Sequence, residues 1–305
     1  MQTITFTCET ITPMFLSGAD QNIPELRPPS IKGALRFWWR AMNGHLDLKT
    51  LKEQEALIFG GTEPAQRSRV IVRCEQKEFD LPKNKYKMIA HKGNETKCFE
   101  VEQEIKITLS LTQNVDLGNG KSFNFEKLKA LFEVFCYLGG LGKRSRRGNG
   151  GLKITKFKID KELELPYTQL DFGTDLVNKL NLVCLDKQID NSQVFRYDSV
   201  NNKIKSYLTN SSNQRPYIKE IYYKQKKTNE NVLHLRQRIS QATHDTKIGN
   251  ENLYKETVGN GTPRFASPVI FSIVPNGNSV ITLLHTASYR YVSNLTLQTT
   301  LINSL

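Results

Sequence analysis

Between residues 3 and 154, apolar side chains recur first at period two and then at period 3.6, in the order β-α-β-β-α-β. This succession constrains the fold more than any other feature of the chain. Ile4, Phe6 and Cys8 alternate with Thr3, Thr5, Thr7 and Glu9, the pattern of a strand with one buried face. Pro28-Pro29 stops the upstream chain and Ser30 can cap free N–H groups, which predicts a helix from about Ile31 to Leu46. A second short helix from about Leu48 to Leu57 should stop at Phe59-Gly60-Gly61, where glycine permits a left-handed turn. Val70-Ile71-Val72 reads as a strand, and the Lys-rich stretch Lys77–Lys97 as a loop or irregular hairpin. Ile105, Ile107, Leu109 and Leu111 alternate strictly with Lys106, Thr108 and Ser110. A helix over Phe125–Leu138 presents Leu128, Leu131, Phe132, Phe135 and Leu138 on one stripe, and Leu152 and Ile154 open another strand.

That order is the split βαβ, or ferredoxin-like, motif. Glu162-Leu163-Glu164-Leu165-Pro166 reads as a linker or edge segment, so the expected division is 1–160 and 161–305. In the second part, Asp175–Leu180 should be helical and the Asn- and Ser-rich run Asn201–Gln214 an exposed loop. Tyr217–Ser240 is basic and partly helical in pattern, with Leu233, Leu235 and Ile239 as buried positions. Asn276-Gly277 between the apolar runs 268–274 and 280–284 is a strong hairpin signal. Gly259-Asn260-Gly261 echoes Gly148-Asn149-Gly150 ahead of a strand, the trace a duplicated unit leaves. The expected fold class is α+β, with two tandem ferredoxin-like (RRM-like, βαββαβ) domains.

Forty-three Lys and Arg against 30 Asp and Glu leave a net charge of +13, an excess that attracts polyanions. No apolar run reaches transmembrane length and the N-terminus begins like a strand. The expectation is therefore a cytoplasmic protein without a membrane partner. The five cysteines show no CxxC spacing, which argues for free thiols rather than a zinc site or a disulfide framework.

Two stretches carry the candidate chemistry. On the first helix, Ile31, Leu35, Trp38 and Met42 form a core stripe. Lys32, Arg36, Trp39, Arg40 and Asn43 cluster on a flank about 80° to 180° away. A basic row bordered by an indole suits a phosphate backbone with an unstacked base, although a solvated basic face fits the same spacing. The second is Gly139–Gly151, with Lys143, Arg144, Arg146 and Arg147 among six glycines. Glycines such as Gly142, Gly148 and Gly150 let the backbone approach a phosphate, and arginines add forked donors. A flexible loop that is basic only because the whole chain is basic is the competing reading. Gly120-Lys121-Ser122 lacks the leading glycine of a P-loop and Gly118-Asn119-Gly120 lacks the third glycine of a dinucleotide fingerprint, so no nucleotide cofactor is expected. The five histidines, His45, His91, His234, His244 and His285, lie outside both glycine-rich stretches, and His244-Asp245 lacks further metal ligands. No catalytic site is therefore expected.

Arg27-Pro28-Pro29-Ser30-Ile31-Lys32-Gly33, then Leu35-Arg36-Phe37-Trp38-Trp39-Arg40-Ala41 and later Ile58-Phe59-Gly60, resemble the N-terminal signature of the RAMP superfamily, the repeat-associated RNA-binding proteins of CRISPR systems. The likeness is greatest to the family of the first Cmr subunit of type III-B effectors. The glycine-rich stretch resembles the G-loop of RAMP proteins, and Arg264-Phe265-Ala266-Ser267-Pro268 resembles a Cmr segment. The resemblance implies RNA contact by Arg27, Lys32, Arg36, Trp39, Arg40, the loop residues and Arg264. It also implies a subunit without nuclease activity that holds guide (CRISPR) RNA toward its 3′ end, together with complementary target RNA and beside other RAMP subunits. Base pairing would then supply sequence specificity. The alternative is a metal-independent endoribonuclease of the same superfamily that processes guide transcripts.

Overall fold

In a computed structural model of the chain, the first strand buries Ile4, Phe6 and Cys8 completely and turns its threonines the other way, as the alternation requires. The structure describes residues 1–63, 65–75, 84–91, 93–185, 193–208, 215–259, 266–285 and 296–305. In chain order, β1 (Gln2–Thr10) leads to α1 (Pro28–Met42) and α2 (Leu48–Phe59). The short strands β2 (Gly61–Thr62) and β3 (Ala65–Gln66) precede β4 (Val70–Glu75). A hairpin of β5 (Lys85–Lys87) and β6 (Glu95–Lys97) comes before β7 (Glu104–Leu111). After the short pair β8 (Val115–Asp116) and β9 (Ser122–Phe123) come α3 (Phe125–Leu138), β10 (Leu152–Ile159) and β11 (Leu165–Pro166).

The first sheet has the antiparallel order β11-β10-β1-β7-β4. Its central registers pair Phe6 with Ile107 and with Phe157. The segment read as a linker or edge is thus an edge strand on β10. Asn124 caps α3 by accepting from the Lys127 amide, and α3 spans the expected residues. The first helix begins earlier and ends sooner than its periodicity predicts. Pro28 and Pro29 occupy its opening turn, where their missing N–H groups cost nothing, so Ser30 lies inside the helix rather than at its cap. Asp47 caps α2 through the amides of Lys49 and Thr50.

The second half comprises α4 (Asp175–Val183), β12 (Phe195–Asp198), β13 (Lys203–Ser206), β14 (Tyr217–Lys224), α5 (Val232–Lys247) and α6 (Glu251–Thr257). It ends with β15 (Val269–Ile273), β16 (Ser279–His285) and α7 (Thr296–Asn303). The second sheet is also antiparallel, in the order β12-β13-β14-β16-β15. The Asn-Gly hairpin is present, but two expectations are corrected. Tyr217–Lys224 is a strand, because its basic residues alternate with Ile218 and Ile221 on a covered face. Lys203–Ser206, inside the stretch read as a loop, is a strand that buries Ile204. Leu235 and Ile239 are buried, whereas Leu233 faces outward on α5.

Helices α1 and α3 lie between the two sheets, α4 packs on α3 and β12, and α5, α6 and α7 cover the far face of the second. One apolar cluster joins Phe6, Leu35, Trp39 and Phe132 to Ile204, Ile218, Ile270 and Leu284. A second joins Phe271, Ile273, Ile281 and Leu283 to Leu235, Ile239, Tyr254 and Leu301. Strand β15 is therefore covered on both faces, which is why its sequence is a continuous apolar run rather than an alternating one.

Candidate nucleic-acid interface

The open face of α1 is centred on Gly33, which is exposed and would meet no neighbour if it carried a side chain. At about 100° per residue, Arg36 and Arg40 border this face on one side and Phe37 on the other. The basic flank is held in place from α2. The Arg36 and Arg40 guanidinium groups both bond Glu55 Oε1, Arg36 Nε at 2.5 Å. Lys32 Nζ donates to Ser68 Oγ at 2.5 Å. Burial, reinforced by Arg36, pulls the Lys32 ammonium below its ordinary pKa. Arg40 is pulled down too, chiefly by burial and further by Arg215 and Arg36, with Glu55 opposing them. Several cations thus crowd around one carboxylate, so the cluster keeps a positive excess. Arg27 sits at the N-cap of α1, partly exposed and 4.0 Å from Glu25.

Trp39 does not border this face. It is fully buried and packs edge-to-face on Phe59 of α2, ring centroids 6.4 Å apart, so it offers no surface to a base. Asn43 is buried as well, donating to the Trp39 carbonyl at 2.9 Å and accepting from the Leu185 amide at 2.7 Å. A helical wheel with one buried stripe misplaces both residues, because α1 is covered by α2 and the second half as well as by the first sheet.

The glycine-rich stretch is tied down rather than loose. Leu141 N–H donates to the Gly150 carbonyl, Gly150 N–H to that of Pro13, and Lys143 N–H to that of Phe15. The stretch also docks on β15: Gly148 N–H donates to the Phe271 carbonyl at 3.0 Å and Phe271 N–H to that of Arg146 at 3.2 Å. Arg147 Nη1 donates to the Val269 carbonyl at 2.8 Å, and Arg146 Nη1 bonds the Ser267 carbonyl. Gly148 and Gly150 are consequently buried with their N–H groups committed, which corrects the expectation that they cradle a phosphate. Their positive φ values of 77° and 67°, and that of Gly142 at 87°, serve the crossing itself. Asn149 is buried too, and its Oδ1 accepts from Arg236, whose guanidinium also reaches the Lys87 carbonyl. Lys143 and Arg144 remain exposed, Arg146 and Arg147 half-buried. Arg264 and most of the second glycine-rich stretch lie outside the described residues, as does part of Lys77–Lys97.

The two motifs meet at a cleft of about 170 Å³ between Ala34, Phe37 and Trp38 of α1 and Gly139, Ser145 and Arg146 of the loop. The Arg146 guanidinium lies 4.9 Å from the centre of the Phe37 ring, and Phe37 meets Trp38 edge-on at 5.3 Å. A side chain at Gly139 would press on Trp38 Nε1, 2.6 Å from the added carbon. Sequence reasoning missed Phe37, Ser145, Glu55 and Arg236. Phe37 alone left a signal, as an aromatic residue that, like Trp39, falls off the core stripe of the wheel. The other three matter through partners on distant segments. Among the described residues, no group of three or more His, Cys, Asp and Glu side chains is arranged to hold a metal ion.

Residues 7–153 match the model of the RAMP superfamily. The CRISPR system Cmr subunit Cmr1-2 of Pyrococcus furiosus is 30% identical over 178 residues, which are 49% of this chain and 93% of that protein. The chain belongs to the RAMP superfamily. A second relative of this RAMP protein, Cmr subunit Cmr1-1 of the same organism, is 31% identical over 168 residues, 50% of this chain and 47% of that one. The fold agrees with solved structures of low identity. The apo crystal structure of Cmr1 from Pyrococcus furiosus superposes with a TM-score of 0.54 at 19% identity, covering 94% of this chain and 89% of that one. A chain of the type III-B Cmr-beta bound to cognate target RNA gives 0.57 at 13% identity, covering 99% and 98%. Among the described residues, no helix is long and apolar enough to cross a membrane.

Proposed function

We propose that this RAMP protein is a non-catalytic RNA-binding subunit of a cytoplasmic type III-B CRISPR Cmr ribonucleoprotein. It holds guide RNA toward its 3′ end, and the duplex with target RNA, by backbone contacts beside other RAMP subunits. The observation that carries this reading is the convergence of signature helix and glycine-rich loop on one cleft lined by Phe37 and Arg146, with Arg36 and Arg40 across the open face of α1 from Phe37 and Lys143 and Arg144 exposed on the loop. Homology to Cmr1 subunits supports the assembly. The architecture is that of two ferredoxin-like units. In the first, β10-β1-β7-β4 with α1 and α3 as crossovers is the βαββαβ arrangement. In the second, β14, β15 and β16 repeat its first three strands around α5, while β13, from upstream, takes the fourth position. The cleft is lined by apolar, glycine, serine and arginine residues, a set suited to holding RNA rather than to exchanging protons with it.

The test is binding of labelled single-stranded RNA to the pure protein in EDTA across salt concentrations. The expected result is affinity falling with salt, with a log–log slope near −0.7 per phosphate held and no cleavage products. Specific products that vanish on substituting one histidine would establish the endoribonuclease alternative instead. Affinity indifferent to salt would overturn the basic interface.

A further inference from the structure

We infer that the cleft between α1 and the glycine-rich loop receives a single unstacked nucleobase of the bound RNA strand, packed against the paired Phe37 ring and Arg146 guanidinium; this rests on the RNA-binding reading above. The cleft's size argues for one ring system. At about 170 Å³ it is smaller than the roughly 300–1,000 Å³ of sites that take drug-sized ligands. Its chemistry argues for a base. Phe37 is partly buried, so its ring is held by the core, and its contact with Trp38 fixes its plane. Arg146 already lies over that ring and is anchored at the Ser267 carbonyl. Bases splayed out of single strands stack on aromatic rings and on guanidinium planes alike, so a base joins an existing stack rather than building one. Ala34 and Gly139 keep the floor open, and the Ser145 hydroxyl is a donor or acceptor at the wall.

Position supports the same occupant. The cleft opens beside the Gly33 face of α1, with Arg36 and Arg40 across that face from Phe37. A strand whose phosphates follow those cations can turn one base inward at Phe37. A larger groove of about 420 Å³ between α5 and α7 lacks these features. No aromatic ring lines it, and its Arg238 is held by Glu230 and the Leu305 carbonyl.

Two variants and two probes test the inference. Ala34→Met fills the cleft, and Phe37→Leu keeps apolar bulk while removing the ring; a melting curve for each confirms folding. The probes are an oligouridine carrying one 2-aminopurine and a fully abasic oligomer of equal length and charge. Wild-type protein should quench the 2-aminopurine and bind oligouridine about tenfold tighter than the abasic strand. Both variants should lose most of the quenching and most of that preference, while binding the abasic strand as wild type does. Equal losses on both strands, or quenching unchanged in both variants, would overturn the base pocket and leave backbone binding intact. Failure of wild-type protein to bind either strand would overturn the RNA-binding reading and the pocket with it.

Discussion

Substituting Glu55 by Gln should lower stability and raise RNA affinity together, a pairing few surface changes produce. The Glu55 side chain is 8% exposed and answers two guanidinium groups, Arg36 at 36% exposure and Arg40 at 22%. Breaking a fully buried pair costs about 3–5 kcal/mol. Because water reaches part of both arginines, about 2–3 kcal/mol is the better expectation here, or roughly 5–10 °C of melting temperature. The same change raises the net charge from +13 to +14 and frees two guanidinium groups beside the open face of α1. Each additional phosphate they hold should steepen the salt slope by about 0.7. At low salt the affinity gain should be roughly threefold to tenfold, the scale of one or two exposed charge pairs. Differential scanning fluorimetry gives the first quantity. Anisotropy of a labelled RNA, read well below the melting point at several salt concentrations, gives the second. An unchanged melting temperature would show that Glu55 is not a buried counter-ion. RNA affinity falling with stability would show that the cluster only braces α1 against α2 and that phosphate binds elsewhere.

Trp39→Ala should cost about 3–5 kcal/mol, as truncation of a fully buried ring does, and leave RNA affinity of the folded protein unchanged in the same anisotropy assay. Gly150→Ala should cost about 3 kcal/mol or more in a denaturant titration. It forces a Cβ onto φ 67° and to within 2.0 Å of the Leu141 carbonyl oxygen, whereas a flexible loop would tolerate it. Thiol labelling at pH 8 should modify Cys74 first, since Cys8, Cys98, Cys136 and Cys184 are buried; native labelling of Cys98 ahead of Cys74 would contradict the packing. Burial pushes the Cys98 thiol up to about 12 from an ordinary value of 9.0, opposed by Arg236. The unfolded chain therefore ionises it first, and Cys98→Ala should reduce the stability lost between about pH 9 and pH 12.

Local patterns were legible wherever one element buried one face. The alternations over residues 3–9 and 105–111 each report a single buried face, and each strand stands where its period places it; α3 and the Asn-Gly hairpin, though covered on more than one side, were marked by a dense apolar stripe and by the turn. What was not legible is burial on a second face. Trp39 and Asn43 lie on a flank that is polar on a wheel, yet α2 and the second half close over it. In β15 the alternation is missing because both faces are buried, and only the turn marked the strand. The candidate site was legible as two motifs but not as one place. That Phe37 faces Arg146 depends on how α1 packs against a loop more than a hundred residues away.

The glycine-rich loop shows why charge alone does not decide its role. It closes the seam between the halves: its Arg146 and Gly148 backbone groups pair with Phe271, and Ile270 of the same strand lines the cleft. Removing all four of its cations therefore removes two kinds of interaction at once. Arg147 contributes a hydrogen bond to the Val269 carbonyl and lies over the Phe271 ring, while Arg146 bonds the Ser267 carbonyl. Their loss frees carbonyls at the edge of the second sheet as well as deleting charge. Lys143 and Arg144 are exposed, and the side-chain bond of Lys143 to Gln21, at 3.2 Å, is a weak surface contact. Their charges can be removed while the backbone hydrogen bonds of the seam stay in place. A loss of RNA affinity on neutralising this outer pair reports electrostatics, whereas the same loss at Arg146 or Arg147 mixes electrostatics with the geometry of the cleft.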